Sequence, residues 1–126
     1  MKKAVCCCLL SAVLWACADG YYTHQAARKA AEEYYMMLIR GDYEGFVRGY
    51  ADAEGMPEDF RSQLADATAQ FMAKDDMRNL CRVEATSDSL YKDSTAYVML
   101  QLHFSDSTSE QIGLSLVLQE DGWKMK

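Results

Sequence analysis

The sequence contains a single proline, Pro57, and only two histidines, His24 and His103, in 126 residues. One helix breaker leaves room for long regular elements. The histidines and cysteines do not fall at metal-ligand spacing, so no metal site is assigned, and no cofactor. No apolar run is long enough for a permanent membrane span: the longest, Ala4 to Trp15, stops far short of the roughly 20 residues a spanning helix needs. Basic residues are in deficit, 13 against 19 acidic, and no Lys/Arg patch interleaved with aromatics offsets this. Such a surface repels nucleic acid and anionic headgroups, which excludes nucleic acid as a partner.

What is present begins with a basic start, Lys2 and Lys3, followed by the apolar run, whose length suits a signal h-region. The run ends Leu14-Trp15-Ala16-Cys17, which resembles the bacterial lipobox: an aliphatic residue three before the cysteine, a small residue directly before it, then the cysteine. Trp15 is bulkier than that position usually carries. An ordinary secretory signal with an incidental Cys17 is the competing reading, but the complete order of features favours a lipoprotein. Residues 1–16 are then a removed signal peptide, Cys17 carries the lipid, and 17–23 form a tether that reaches about 20 Å. Cys6, Cys7 and Cys8 leave with the signal, so Cys17 and Cys81 remain and no disulfide framework is expected. The mature chain keeps 11 basic and 19 acidic side chains, a formal charge of −8. Membrane attachment therefore rests on the acyl chains of Cys17, which suffice when two or more are present. Ala18 after the cysteine, rather than the Asp that some bacteria use for inner-membrane retention, points to the outer membrane of the cell envelope.

Residues 24–126 read as one domain. From His24 to Arg40, Ala27, Ala30, Ala31, Tyr34, Leu38 and Ile39 recur at three- and four-residue spacing, which predicts a one-sided helix. Gly41 suits the position just past its end, and the Asp42 carboxylate suits the cap of a second helix, Tyr43 to Ala53. Pro57 is placed at the first position of a third helix that runs to about Lys74, with Phe60, Leu64, Ala67, Phe71 and Met72 on its buried side. Near Asp76 the period changes to two. Strands are expected over Leu80 to Thr86, Thr95 to Ser105, Glu110 to Gln119 and Gly122 to Lys126, joined by polar turns at Ser87 to Ser94, Asp106 to Ser109 and Asp121-Gly122. Three helices followed by an antiparallel meander make an α+β domain.

That order, the Gly41-Asp42 pair and the closing Asp121-Gly122-Trp123-Lys124 resemble the nuclear-transport-factor-2-like (cystatin-like) cone fold. More narrowly, the chain is similar to small lipoproteins of unknown function with that fold from gut Bacteroidetes. The resemblance implies a curved four-stranded sheet wrapped around the long helix, with a hollow that some relatives use as a binding or catalytic pocket. Many relatives also carry a short strand between the early helices, and none is legible here.

A catalytic role would need a polar group inside the cone. Strand parity puts Ala96, Val98, Leu100, Leu102 and Phe104 on one face and Tyr97, Met99, Gln101 and His103 on the other, while Ile112, Leu114, Leu116 and Leu118 share a face of the next strand. The aliphatic faces must pack on the helices, so His103 lies outside the cone. His24 is expected to be solvated beside the tether. The doublets Glu32-Glu33, Asp75-Asp76 and Glu120-Asp121 are read as solvated charge and Glu58-Asp59 as a helix start, none with a partner that marks an acid/base couple. Asp42, the first residue to test for catalysis, is explained by capping. Cys81 alternates with Val83 and Ala85, which predicts a buried, unreactive thiol. Tyr34, Tyr35, Tyr43, Phe46 and Tyr50 are read chiefly as core, with a ligand-pocket lining as the alternative. No catalytic residue is assigned.

The leading functional expectation is a membrane-anchored binding or interaction module for a small apolar ligand or an envelope protein. The alternative is an isomerase- or dehydratase-type enzyme that uses a cone pocket, and a purely structural envelope protein comes third. Tyr97, Met99 and Val117 on the sheet's outer face further suggest a weak homodimer through that face. Mass spectrometry of the mature N-terminus is expected to find an acylated Cys17. An unmodified Cys17, or a chain that still begins at Met1, would refute the lipoprotein assignment.

Overall fold

The computed structural model describes residues 24–92 and 94–126. The expected signal segment 1–16, the expected tether 17–23 and Cys17 itself lie outside the described residues. Residues 24–40 are helical (α1), followed by α2 (Tyr43–Arg48), a 3₁₀ turn (Ala53–Gly55) and α3 (Glu58–Met72). Four strands follow: β1 (Leu80–Tyr91), β2 (Thr95–Phe104), β3 (Ser109–Gln119) and β4 (Gly122–Met125), in the spatial order β1-β2-β3-β4 with antiparallel pairing throughout. The chain is α+β, helices first and meander second. Among the described residues no helix is long and apolar enough to cross a membrane.

The face of α1 is the one its spacing predicts. Ala27, Ala31, Tyr34 and Leu38 are buried, and the two alanines, with no accessible surface, let the helix lie close against the sheet. Opposite them the predicted alternation of β2 holds: Ala96, Val98, Leu100 and Leu102 are buried in one apolar cluster with Leu116, Trp123 and Met125. Each such aliphatic side chain contributes about 1.5–3 kcal/mol on leaving water, so this face supplies much of the driving force for folding. The parity of β3 holds less far: Leu116 is fully buried, whereas Leu118 is 41% exposed.

Gly41 adopts φ +80°, which a glycine takes without steric cost. Its N–H donates to Leu38 O at 3.3 Å and that of Asp42 to Met37 O at 2.8 Å, a Schellman closure of α1. Asp42 then serves the next helix, its Oδ1 accepting from the Gly45 N–H at 3.0 Å.

The second helix is shorter than its periodicity suggests: it stops at Arg48 instead of continuing to Ala53. The backbone beyond it is engaged by the C-terminal strand. Met125 N–H donates to Gly49 O at 2.8 Å, and Ala51 N–H donates to Met125 O at 2.7 Å, which makes a parallel bridge at Tyr50. This one-residue bridge is all the strand pairing that the described residues form between the early helices. Gly49 is needed there for space, since a Cβ would overlap the Tyr34 ring. The Tyr34 hydroxyl in turn donates to Trp123 O at 2.5 Å.

The third helix also differs. Pro57 is its N-cap residue, with ψ 148°, and not its first helical residue. Its buried residues are Ala65 and Met72, while Phe60 and Phe71 are 46% and 50% exposed. The helix is thus rotated by roughly a quarter turn from the face read off the sequence, and its phenylalanine stripe is left uncovered.

The first strand runs on through Tyr91, so Ser87 to Tyr91 belong to β1 and not to a loop. Two register shifts account for this, one at Cys81 between Leu80 and Arg82 and one at Thr86 between Ala85 and Ser87. Each inserts an extra residue and resets the alternation. Leu80 and Val83 are consequently both buried, three apart, and Cys81 is exposed, with its thiol directed to His103 O at 3.3 Å. The expectation of a buried thiol alternating with Val83 and Ala85 fails because it assumed an unbroken strand.

The junction of Tyr34, Gly49 and Trp123 is expected to dominate stability. Gly49→Ala should lower it by about 1–3 kcal/mol through overpacking, and Tyr34→Phe by about 1–3 kcal/mol through an orphaned carbonyl. Thermal and urea unfolding of the two variants checks both values.

Candidate functional site

The side chains that could carry chemistry fall in three places. The first is the inner end of β1. Beyond the Thr86 bulge, Asp88 pairs with Val98 in register and so faces inward, toward α1. Its side chain is 4% exposed, with Oδ1 2.5 Å from Arg28 Nε and Oδ2 2.8 Å from His24 Nδ1. His24 is therefore paired, although its ring is 58% exposed, and not simply solvated. Burial pushes the Asp88 pKa up, but the hydrogen bonds from His24 and Arg28 and their charges outweigh it and hold the carboxyl below its ordinary value. One turn further along α1, Glu32 Oε2 accepts the Ala85 N–H at 2.9 Å beside the bulge. The Glu32-Glu33 doublet is thus not mere solvated charge: Glu32 holds the strand, and Glu33 pairs with Arg40 at 2.7 Å. The set His24, Arg28, Glu32 recurs every four residues on one face of α1 and clamps that helix to the edge strand. The sequence reading missed Asp88 because it assigned that residue to a loop. A polar residue at an inward strand position erases the apolar alternation that marks a strand.

The second place is the outer face of the sheet. His103 lies there, as parity requires, with Nε2 2.7 Å from Glu84 Oε1 and Arg82 3.8 Å from the other oxygen of that carboxylate. Tyr97 lies across Gly113, occupying the space a Cβ there would need. Asp42 is exposed and acts only as the α2 cap.

The third place is a groove of about 320 Å³ between α1, α2 and α3, lined by Tyr35, Leu38, Phe46, Tyr50, Ala67, Thr68, Phe71 and Met77. Its volume is at the lower end of the range for ligand pockets, which are apolar with a few polar groups for orientation. Phe46 anchors the floor, packed edge-on to Tyr35 and Tyr50 with ring centroids 6.1 and 5.7 Å away. The Tyr35 and Tyr50 side chains both line this groove. Burial raises the Tyr35 phenol above its ordinary pKa, and Tyr50 beside it adds to the shift, so the group is a neutral donor at physiological pH. The lining contains no carboxylate, imidazole or thiol.

The aromatics singled out from the sequence therefore divide. Tyr34 is core; Tyr35, Phe46 and Tyr50 line the groove, and Tyr43 packs at the edge of the core. Phe71, Ala67 and Met77 join them, the first two from a helix face expected to be buried. The cone interior itself is filled by the aliphatic cluster of β2, β3 and α1.

No family model matches the chain, and no curated protein matches it in sequence. Among solved structures, a Campylobacter jejuni protein provisionally named an NTF2-like transpeptidase superimposes with a TM-score of 0.59 over 75% of this chain and 92% of that one, at 13% identity. A protein from Catenulispora acidiphila gives a TM-score of 0.53 over 88% of this chain and 89% of its own, at 15% identity. At these identities the likeness is one of fold: the chain has the NTF2-like architecture.

The helix–strand clamp has a pH signature. A carboxyl held below its ordinary pKa contributes stability above the unfolded-state value, and that contribution is lost as pH falls through the folded-state value. Asp88→Asn should therefore lower the melting temperature near neutrality, and the gap from the unsubstituted chain should close below about pH 4. Thermal melts across this range check the prediction; a gap that persists unchanged in acid would refute it.

Proposed function

We propose that this chain is a membrane-anchored binding module that takes an apolar ligand, or an apolar segment of an envelope protein, into the groove between α1, α2 and α3. The observation that carries the reading is the pairing of a filled cone with an open aromatic groove outside it. In an enzyme of the isomerase or dehydratase type, the reacting polar groups would stand in a desolvated pocket. Here the Asp88 carboxylate, 4% exposed, is consumed by Arg28 and His24, away from the groove lining. The groove offers apolar contact and two phenol hydroxyls, groups that can orient a guest.

Anchoring is the second half of the proposal. Its support is the order Lys2-Lys3, apolar run, Leu14-Trp15-Ala16-Cys17, with Ala18 favouring the outer membrane. A tether of about 20 Å would keep the groove within reach of the bilayer surface, where apolar ligands and lipid-embedded partners are concentrated. The acidic surface would keep the domain itself off anionic headgroups.

The test uses a solvatochromic apolar dye titrated against the chain. Binding with a blue shift is expected, and Ala67→Trp, which fills the groove from its exposed rim, should weaken it by about tenfold or more. Because Ala67 is outside the core, unfolding of this variant should match the parent. Dye binding that Ala67→Trp leaves unchanged would place the site elsewhere.

A further inference from the structure

The third helix carries two apolar sides. Ala65 and Met72 turn into the core, while Phe60, Leu64, Ala67 and Phe71 form a second stripe on which both phenylalanines are about half exposed. The stripe has the same spacing in either direction: four residues, three, then four. A two-fold axis passing between Ala65 and Asp66 would set Phe60 of one copy against Phe71 of another, and Leu64 against Ala67. The charges at the helix ends follow the same symmetry. Glu58 and Asp59 occupy the first turn, and Lys74 lies just past the last, its Nζ 5.8 Å from the centre of the Phe71 ring. In an antiparallel pair each acidic first turn would meet the other copy's Lys74, and the helix dipoles would oppose favourably.

We infer that a second copy of this chain docks on α3 in this antiparallel register, with each Phe60 seated in the other copy's groove beside Phe71. Three features select a second copy as the occupant: the self-complementary spacing, the opposed end charges, and a groove that opens at the end of the stripe where the incoming phenylalanine arrives. Such a contact is isologous, so each favourable pair occurs twice and the assembly closes at a dimer. The inference shares with the binding proposal only the premise that the groove beside Phe71 accepts an apolar guest. The sheet's outer face is the competing surface, but there Tyr97 lies folded over Gly113 of its own chain.

Photo-crosslinking of the full chain in membranes, with p-benzoylphenylalanine in place of Phe60, tests the inference. The expected product is a covalent homodimer whose linkage maps to residues 67–77 of the second copy. No homodimer from position 60, or a homodimer only when the probe replaces Tyr97, would overturn it. Lys74→Glu should lower the crosslink yield about fivefold, and Glu58→Lys in the same chain should restore it. Loss without restoration would refute the antiparallel register. Both residues are exposed, so neither change touches the core. A dimer formed by a chain that binds no apolar dye would uphold this inference and refute the ligand proposal, and dye binding without a dimer would do the reverse.

Discussion

The backbone of Met125 is the constraint on which the rest of the helical layer depends. It pairs with Leu116 of β3 on one side and with Gly49 and Ala51 on the other, so the last strand of the sheet is joined to the connection between helices. This pairing satisfies polar groups that would otherwise be open along the edge of β4. It also accompanies the end of α2 after six residues, because the Ala51 N–H, donated to Met125 O, cannot also serve a continuing helix. Tyr34 reinforces the joint from α1, its ring against Gly49 and its hydroxyl on Trp123 O. The direction in which the chain leaves toward α3, and hence the gap that becomes the groove, follows from this one joint.

A filled cone changes what the fold can offer. With Val98, Leu100 and Leu116 wholly enclosed, the space between sheet and helix contributes packing energy. One concave surface lies between the helices, and its composition follows from how α3 sits. Had α3 buried its phenylalanine stripe, the groove would have been closed and the outer surface of the helix polar. Because Ala65 and Met72 are buried instead, Phe60 and Phe71 leave aromatic surface accessible along α3.

The contrast between β2 and β1 explains how far the sequence could be read. In β2, strict alternation of Ala96, Val98, Leu100 and Leu102 with Tyr97, Met99, Gln101 and His103 leaves one interpretation, and the structure follows it. In β1 the two inserted residues shift the alternation twice, and the inward Asp88 removes the apolar signal from its second half. The pairing of Asp88 with His24 and Arg28 spans about sixty positions and depends on that bulge, so no local pattern announces it. The Gly41-Asp42 pair was legible because its two roles, left-handed closure and helix cap, are local. Within α3, Phe60, Leu64, Ala67 and Phe71 form as good a stripe as Ala65 and Met72 with their neighbours, and periodicity alone cannot choose between them. Tyr34 and Tyr35 are adjacent in sequence yet have opposite fates, core and groove. The discriminating feature, the bare backbone of Gly49 against Tyr34, is visible only when the two segments are brought together.

The bulged first strand has a bearing on solubility. β1 is twelve residues long and pairs with β2 alone, so its other side is the one free edge of the described sheet. A long regular edge of that kind invites strand addition by neighbouring chains. Two inserted residues break its regularity, charged Arg82 and Glu84 flank it, and the Ala85 N–H, beside the second bulge, is occupied by the Glu32 carboxylate. An incoming strand would find neither a continuous register nor a full row of donors. The irregularities that conceal β1 from a reader of the sequence are, for the molecule, a defence against edge-to-edge aggregation.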